Sequence, residues 1–208
     1  MRRGFTLIEV LLAAVLGLLL LGLMVSTLVP IMKYSAWGYS RAELLQAASL
    51  VSTRLTTDLQ KAPKAGIYLP DPATAQHALL SIRGISEVTD SGLPVYDPQL
   101  ICYDWEATSA SLTRKLWPPG QALESQAIPL PLDRPTCLGP TDVRTVMNQV
   151  NGTEHRLASG ILTKFALTPA SAQITWPLHL SMTFKLQVPG RVAETYLHEA
   201  DIYSRTGQ

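Results

Sequence analysis

Between Val10 and Met32 the chain runs 23 residues without a charge. As a helix rising about 1.5 Å per residue this stretch would extend roughly 35 Å, enough to cross the ~30 Å hydrocarbon core of a bilayer. A transmembrane helix is the expectation. From Lys33 onward the pattern changes: apolar residues recur at Trp37, Leu44, Ala48, Val51, Leu55 and Leu59, while Glu43, Gln46, Ser49, Ser52, Arg54 and Asp58 take other positions. Steps of three and four draw one stripe along an amphipathic helix, expected to face the packed part of the protein. The helix should continue to Ala62 and stop at Pro63, because the residue before a proline is pushed out of helical geometry. Within the apolar run, Gly17, Gly22 and Pro30 are the candidate positions for a break, glycine weakening a helix and proline removing a backbone bond.

Past Pro63 the period falls to two. Leu178, Leu180, Met182, Phe184, Leu186 and Val188 alternate with His179, Ser181, Thr183, Lys185 and Gln187, which predicts a half-buried strand. Pro189-Gly190 predicts a turn and Arg191 to Tyr203 a returning strand, together a C-terminal hairpin. Leu100 to Trp105 and Leu112 to Trp117 form an earlier pair across Thr108-Ser109-Ala110-Ser111, with further strands from Ile161 to Leu167 and from Leu79 to Arg83. A long helix followed by antiparallel strands is an α+β arrangement, with the helix laid across one sheet face. The ~145 residues after Pro63 suffice for one domain of ordinary size.

Charge orients the chain. Arg2 and Arg3 precede the apolar run and Lys33 is the first charge after it, so the positive-inside rule places the N-terminus in the cytoplasm and the bulk of the protein across the membrane. A cleaved secretory signal is the alternative, but its apolar core would be about 7–15 residues, and Val25-Ser26-Thr27 is a weak match to its cleavage site. With 17 Lys and Arg against 16 Asp and Glu, and no basic cluster, direct nucleic-acid binding is not expected.

Glu9 stands against the pattern. A carboxylate at the bilayer centre costs about 2.5 kcal/mol or more, less near the edge, and such residues usually answer to a partner; the bland alternative is that Glu9 snorkels to the interface. Gly4-Phe5-Thr6-Leu7-Ile8-Glu9, preceded by two arginines and continued by the apolar run, resembles the N-terminus of type IV prepilins and of the pseudopilins of type II secretion. The resemblance implies cleavage between Gly4 and Phe5 by a prepilin peptidase, N-methylation of Phe5, and a carboxylate at Glu9 that meets the terminal amine of a neighbouring subunit. It also implies a pilin-like fold divided into a leader (1–4), an assembly helix (5–32), an amphipathic continuation (33–62) and an extracytoplasmic β-rich domain (63–208). The implied partners are other pilins or pseudopilins, the peptidase and an inner-membrane assembly platform. The implied location is the inner membrane, single-pass, and then a pilus or pseudopilus.

The resemblance reaches further along the chain. Cys102-Tyr103-Asp104-Trp105, Leu112-Thr113-Arg114, Leu157-Ala158-Ser159-Gly160-Ile161 with Phe165, and Trp176-Pro177 follow an order similar to that of J-type minor pseudopilins and W-type minor pilins. These families imply a subunit at or near a filament tip, where minor subunits start assembly. A filament subunit of a DNA-uptake system with a ligand-binding outer domain is the alternative, since pilus, secretion and competence machines share this N-terminus.

Cys102 and Cys137 are the only cysteines. Across the membrane an even pair is expected to form a disulfide, which would stabilise a loop of about 35 residues by roughly 3–4 kcal/mol; two buried thiols are the alternative. The enclosed Pro118, Pro119, Gly120, Pro129, Pro131 and Pro135 predict a surface excursion. An enzyme is the first rival class. His77, His155, His179 and His198 show no ligand spacing, a metal shared by His179 and His198 across the hairpin being the one arrangement open to them; no nucleophile elbow or phosphate loop is present, and no cofactor is expected. A binding module is the second rival, resting on Trp37, Tyr39, Trp105, Trp117 and Trp176 as stacking surfaces and on Lys164, Lys185 and Arg191 as a basic side of the sheet. Tryptophan in a small β domain more commonly packs a core or interface.

Overall fold

The computed structural model of the protein describes residues 6–68, 76–117, 140–148, 153–169, 174–187 and 192–204. Its first element is a single helix, α1 (Leu7–Gln60), of 54 residues. The candidate breaks do not occur, and α1 continues through Gly17, Gly22 and Pro30. The two glycines each weaken a helix by about 1 kcal/mol relative to alanine, and Pro30 removes one backbone bond, whereas every other residue of the run is a tolerable helix former held by its own ladder. Beside the proline, Ser26 Oγ donates to the Leu23 carbonyl (2.8 Å), and Thr27 Oγ1 lies 3.1 Å from the Leu23 carbonyl and 3.0 Å from that of Met24.

By contacts the chain divides into two units, Met1–Glu43 and Leu44–Gln208. In the second, Leu44, Ala48, Val51, Leu55 and Leu59 of α1 are buried in the main core, as their spacing predicts. Trp37 departs from that expectation: it precedes this unit and is 46% exposed. Six residues lie between it and Leu44, and the three- and four-residue steps from Trp37 fall on Ser40 and Arg41, so the apolar stripe is interrupted there.

After a short 3-10 turn (Lys64–Gly66) come the strands β1 (Ile67–Tyr68), β2 (His77–Ile82), β3 (Ile85–Val88), β4 (Pro94–Tyr96), β5 (Leu100–Glu106) and β6 (Ser111–Trp117). They are followed by helix α2 (Pro140–Asn148) and by β7 (Thr153–Ala158), β8 (Leu162–Thr168), β9 (Leu178–Leu186) and β10 (Glu194–Ile202). An antiparallel five-stranded sheet has the order β1-β2-β5-β6-β7, and a three-stranded sheet the order β10-β9-β8; β3 and β4 form a separate hairpin. Gly66 sits where the turn meets β2: its carbonyl accepts from Arg83 N at 2.7 Å, and a Cβ there would fall 2.5 Å from the Arg83 carbonyl oxygen.

Alternation sorts the large sheet into two faces. Leu80, Ile82, Tyr103, Trp105 and Leu112 join the main core with α1, and Leu79, Leu100, Cys102 and Trp117 pack with Val146 of α2 in a smaller one. The two sheets are tied by backbone and indole. The Ala110 carbonyl accepts from Ile161 N (3.1 Å) and Leu162 N (2.9 Å), and Trp105 Nε1 donates to the Leu162 carbonyl at 2.9 Å. In β9, Leu178, Leu180, Met182 and Phe184 are all buried, as the alternation requires, and β10 pairs with it from Glu194↔Leu186 to Ile202↔Leu178. Val188 and the Pro189-Gly190-Arg191 turn lie outside the described residues.

A buried ionic cluster locks α1 to the sheet. Tyr103 Oη donates to Asp58 Oδ2 at 2.6 Å, and Arg114 Nε donates to the same oxygen at 2.8 Å. Tyr103 and Arg114 are cross-strand partners in the β5–β6 register, so both reach the inner face at one level. The sequence pattern placed Asp58 on a polar face; the structure buries it in the stripe, three residues after Leu55 and seven after Val51.

Candidate processing and assembly site

The first described residue, Thr6, caps α1. Thr6 N and Thr6 Oγ1 both donate to Glu9 Oε2, at 2.9 and 3.0 Å, and Glu9 N lies 3.4 Å from Thr6 Oγ1. This is a capping box: the N-cap hydroxyl and the N3 carboxylate each satisfy a backbone N–H that a helix start leaves without a partner. The Thr-x-x-Glu spacing of Thr6 and Glu9 is the sequence signature of such a cap. Gly4 and Phe5, the expected cleavage pair, lie outside the described residues.

Beyond the cap, α1 presents Leu11, Leu12, Leu16, Leu19, Leu23 and other apolar side chains outward around its whole circumference. A helix that is apolar all round is stable in water only if something covers it. By length and composition α1 is able to cross a membrane. The cover can be lipid or neighbouring helices of the same kind, and the apolar chemistry serves both equally well.

The other sequence candidates fall into ordinary surroundings. His179 Nδ1 is 2.9 Å from Asp201 Oδ1 on the exposed side of the hairpin, while His198 Nε2 is 2.9 Å from Ser52 Oγ of α1. The two rings therefore point to opposite faces of β9–β10, which overturns a shared metal: the strands place 179 opposite 201 and 198 opposite 182. Among the described residues no group of three or more His, Cys, Asp or Glu is arranged to hold a metal. Trp105 and Trp117 are buried, so neither is a stacking surface, and Trp176 is half-buried. Lys164 and Lys185 are exposed, and Arg191 lies outside the described residues. Cys102 is fully buried in the smaller core beneath α2, and Cys137 lies outside the described residues.

Polar side chains gather at one end of the sheet's outer face. Asp104, Glu106, Ser109, Ser111, Thr113, Arg156 and Ser159 line a shallow cavity of about 200 Å³. Among the described residues Asp104 Oδ1 has no hydrogen-bond partner although it is buried, and His77 Nδ1 lies 3.8 Å away. Burial raises the Asp104 pKa above its usual value, and the nearby His77 only partly offsets this.

Residues 1–25 match the family described as the prokaryotic N-terminal methylation motif. The chain thus carries a type IV prepilin-like signal, joined to an α+β architecture of pilin type in which a long N-terminal helix packs on antiparallel sheets. Such a signal implies processing by a prepilin peptidase and assembly with other pilins. No curated protein matches the chain, and no solved structure does.

Proposed function

We propose that this protein is a minor pilin or pseudopilin, a structural subunit that starts or tips a filament of a type IV pilus or type II secretion system. The observation that carries the reading is the uninterrupted Gly4-to-Glu9 motif at the head of a helix whose apolar side chains are outward on every side. The subunit is held in the inner membrane by α1 with the N-terminus in the cytoplasm and the β-rich part across the membrane, as Arg2 and Arg3 before the run support. The peptidase cuts between Gly4 and Phe5, Phe5 is N-methylated, and the helix exchanges lipid for the helices of neighbouring subunits under the direction of the assembly platform. Its mechanism is packing rather than catalysis.

In this reading Glu9 has two successive partners. In the lone subunit its carboxylate is occupied by Thr6. In the filament it turns to the methylated amine of an adjacent Phe5, a charge-assisted bond stronger than the neutral ones it leaves. A buried charge pair of this kind sets register more than it adds stability.

A Cys102–Cys137 disulfide belongs to the same proposal. Cys137 precedes Pro140 by three residues, which reach up to ~10 Å when extended, and α2 packs on the sheet face that carries Cys102. The bond would pin the end of the proline-rich excursion to β5.

Processing is the direct test. Intact-mass analysis of the membrane-extracted protein, from cells with and without prepilin peptidase, should show peptidase-dependent loss of Met1 to Gly4 and one added methyl on Phe5. Cleavage near Ser26, or an unprocessed chain in both strains, would overturn the proposal.

A further inference from the structure

The segment just past the apolar run carries a different chemistry from either of its neighbours. Tyr34 is 73% exposed, Trp37 46% and Tyr39 77%, within a stretch bounded by Lys33 and Arg41 that contains no acidic residue. The Arg41 guanidinium lies 5.6 Å from the centre of the Trp37 ring, a cation–π contact on the helix surface. The small polar groups between them fold back onto the helix: Ser35 Oγ donates to the Met32 carbonyl and Ser40 Oγ to that of Ala36. The outward surface here is therefore rings and cations.

We infer that residues 33–41 are a lipid-headgroup anchor that fixes the depth of α1 in the membrane. The inference rests on the membrane-spanning reading of α1 and adds what sets its position. Three exposed rings in six residues are a poor surface for bulk water, and Tyr and Trp concentrate where apolar ring and polar edge can each find its own medium, at the membrane–water boundary. Lys33 and Arg41 supply the charge that complements anionic phospholipid, and the patch is continuous with the apolar span that ends at Met32.

Length supports the same assignment. From Glu9 to Trp37 α1 rises about 42 Å, matching the ~40–45 Å of a bilayer with its headgroups. With Trp37 in the outer headgroup layer, Glu9 and Thr6 fall in the inner one, where a carboxylate is tolerated. The Gly4–Phe5 bond is then presented at the cytoplasmic surface instead of within hydrocarbon. The anchor would thus hold the substrate bond at a fixed height for the peptidase. Loss of the rings would let the helix sink or rise by a turn.

The full chain is reconstituted in phosphatidylcholine–phosphatidylglycerol vesicles whose acyl chains carry bromine either near the headgroup or near the bilayer centre. The fluorescence difference between wild type and Trp37→Phe isolates Trp37 from the other tryptophans. That difference should be quenched at least about twofold more by the shallow bromines than by the deep ones. A second chain, Leu20→Trp on the Trp37→Phe background, should be quenched most by the deep bromines. Deep quenching at position 20 with no shallow preference at Trp37 would overturn the anchor alone, the segment then lying in water, against protein or deeper in the span. Failure of the position 20 control would overturn the transmembrane reading and the anchor together.

Discussion

Asp58 shows how one residue can decide whether a helix stays docked. It is a carboxylate inside an apolar stripe, buried and held by Tyr103 and Arg114 at 2.6 and 2.8 Å. Burial first, and then the Asp58 charge and hydrogen bond, push the Tyr103 phenol far above its ordinary pKa, so it remains a donor throughout the physiological range. Asp58→Ala strands the Arg114 cation in a partly desolvated place and should destabilise the outer part by about 3 kcal/mol or more, whereas Tyr103→Phe should cost about 1 kcal/mol, both read from urea unfolding in detergent. Similar losses for the two variants would contradict the ion pair as the dominant contact. Asp104 makes the opposite case. Its folded-state pKa is raised by burial above the ordinary 3.8, so its ionised form opposes folding: the penalty is absent below 3.8, grows as pH rises through the folded value, and is complete above it. Asp104→Asn should therefore raise the Tm at pH 7 and lose that advantage in acid. A wild type more stable at neutral pH would show that the His77 interaction outweighs burial. The motif from Gly4 to Glu9 is legible in the sequence, whereas the surroundings of Asp58 and Asp104 are not, since alternating patterns report which positions face inward and not which inward polar groups find partners.

At the scale of elements, the strongest periodicities were the most legible. The alternating run from Leu178 gives β9 over Leu178–Leu186, and the stripe from Leu44 to Leu59 gives the packed face of α1. The short strand expected from Leu79 to Arg83 is β2 (His77–Ile82), whereas β7 and α2 were not legible. Strand β7 begins at Thr153, directly after an Asn-Gly pair that reads as a turn, and its exposed Glu154, His155 and Arg156 break any simple alternation. Helix α2 has nine residues, too few for a stripe to repeat more than once, although Pro140 at its first position suits a helix start. The place of α2 over Cys102 gives the cysteine proposal a concrete form. Non-reducing peptide mapping of the native protein should join the Cys102 and Cys137 peptides, and reduction should weaken the fold by roughly 3–4 kcal/mol. Full alkylation of both cysteines without reductant would contradict the bond.

On the scale of the whole molecule, two units with different surfaces share one helix: Met1–Glu43, outward and apolar, and Leu44–Gln208, built around its own core. The first carries exposed apolar surface that lipid or neighbouring helices can cover, and the proposal of an assembly subunit rests on it. Its central test is whether the charge on Glu9 is used between subunits or only for the Thr6 cap. Glu9→Gln separates the two, because glutamine serves a capping box as glutamate does but offers no charge to a neighbour's amine. Wild type, Glu9→Gln and Glu9→Val are compared for cleaved protein in the membrane and in sheared filaments. The account predicts equal cleavage of wild type and Glu9→Gln, abundant wild type in the filament fraction, and at least about tenfold less Glu9→Gln there, a buried amine having lost its counter-charge. Glu9→Gln at wild-type filament levels, with Glu9→Val alone depleted, would assign Glu9 to its own helix and contradict the intersubunit contact.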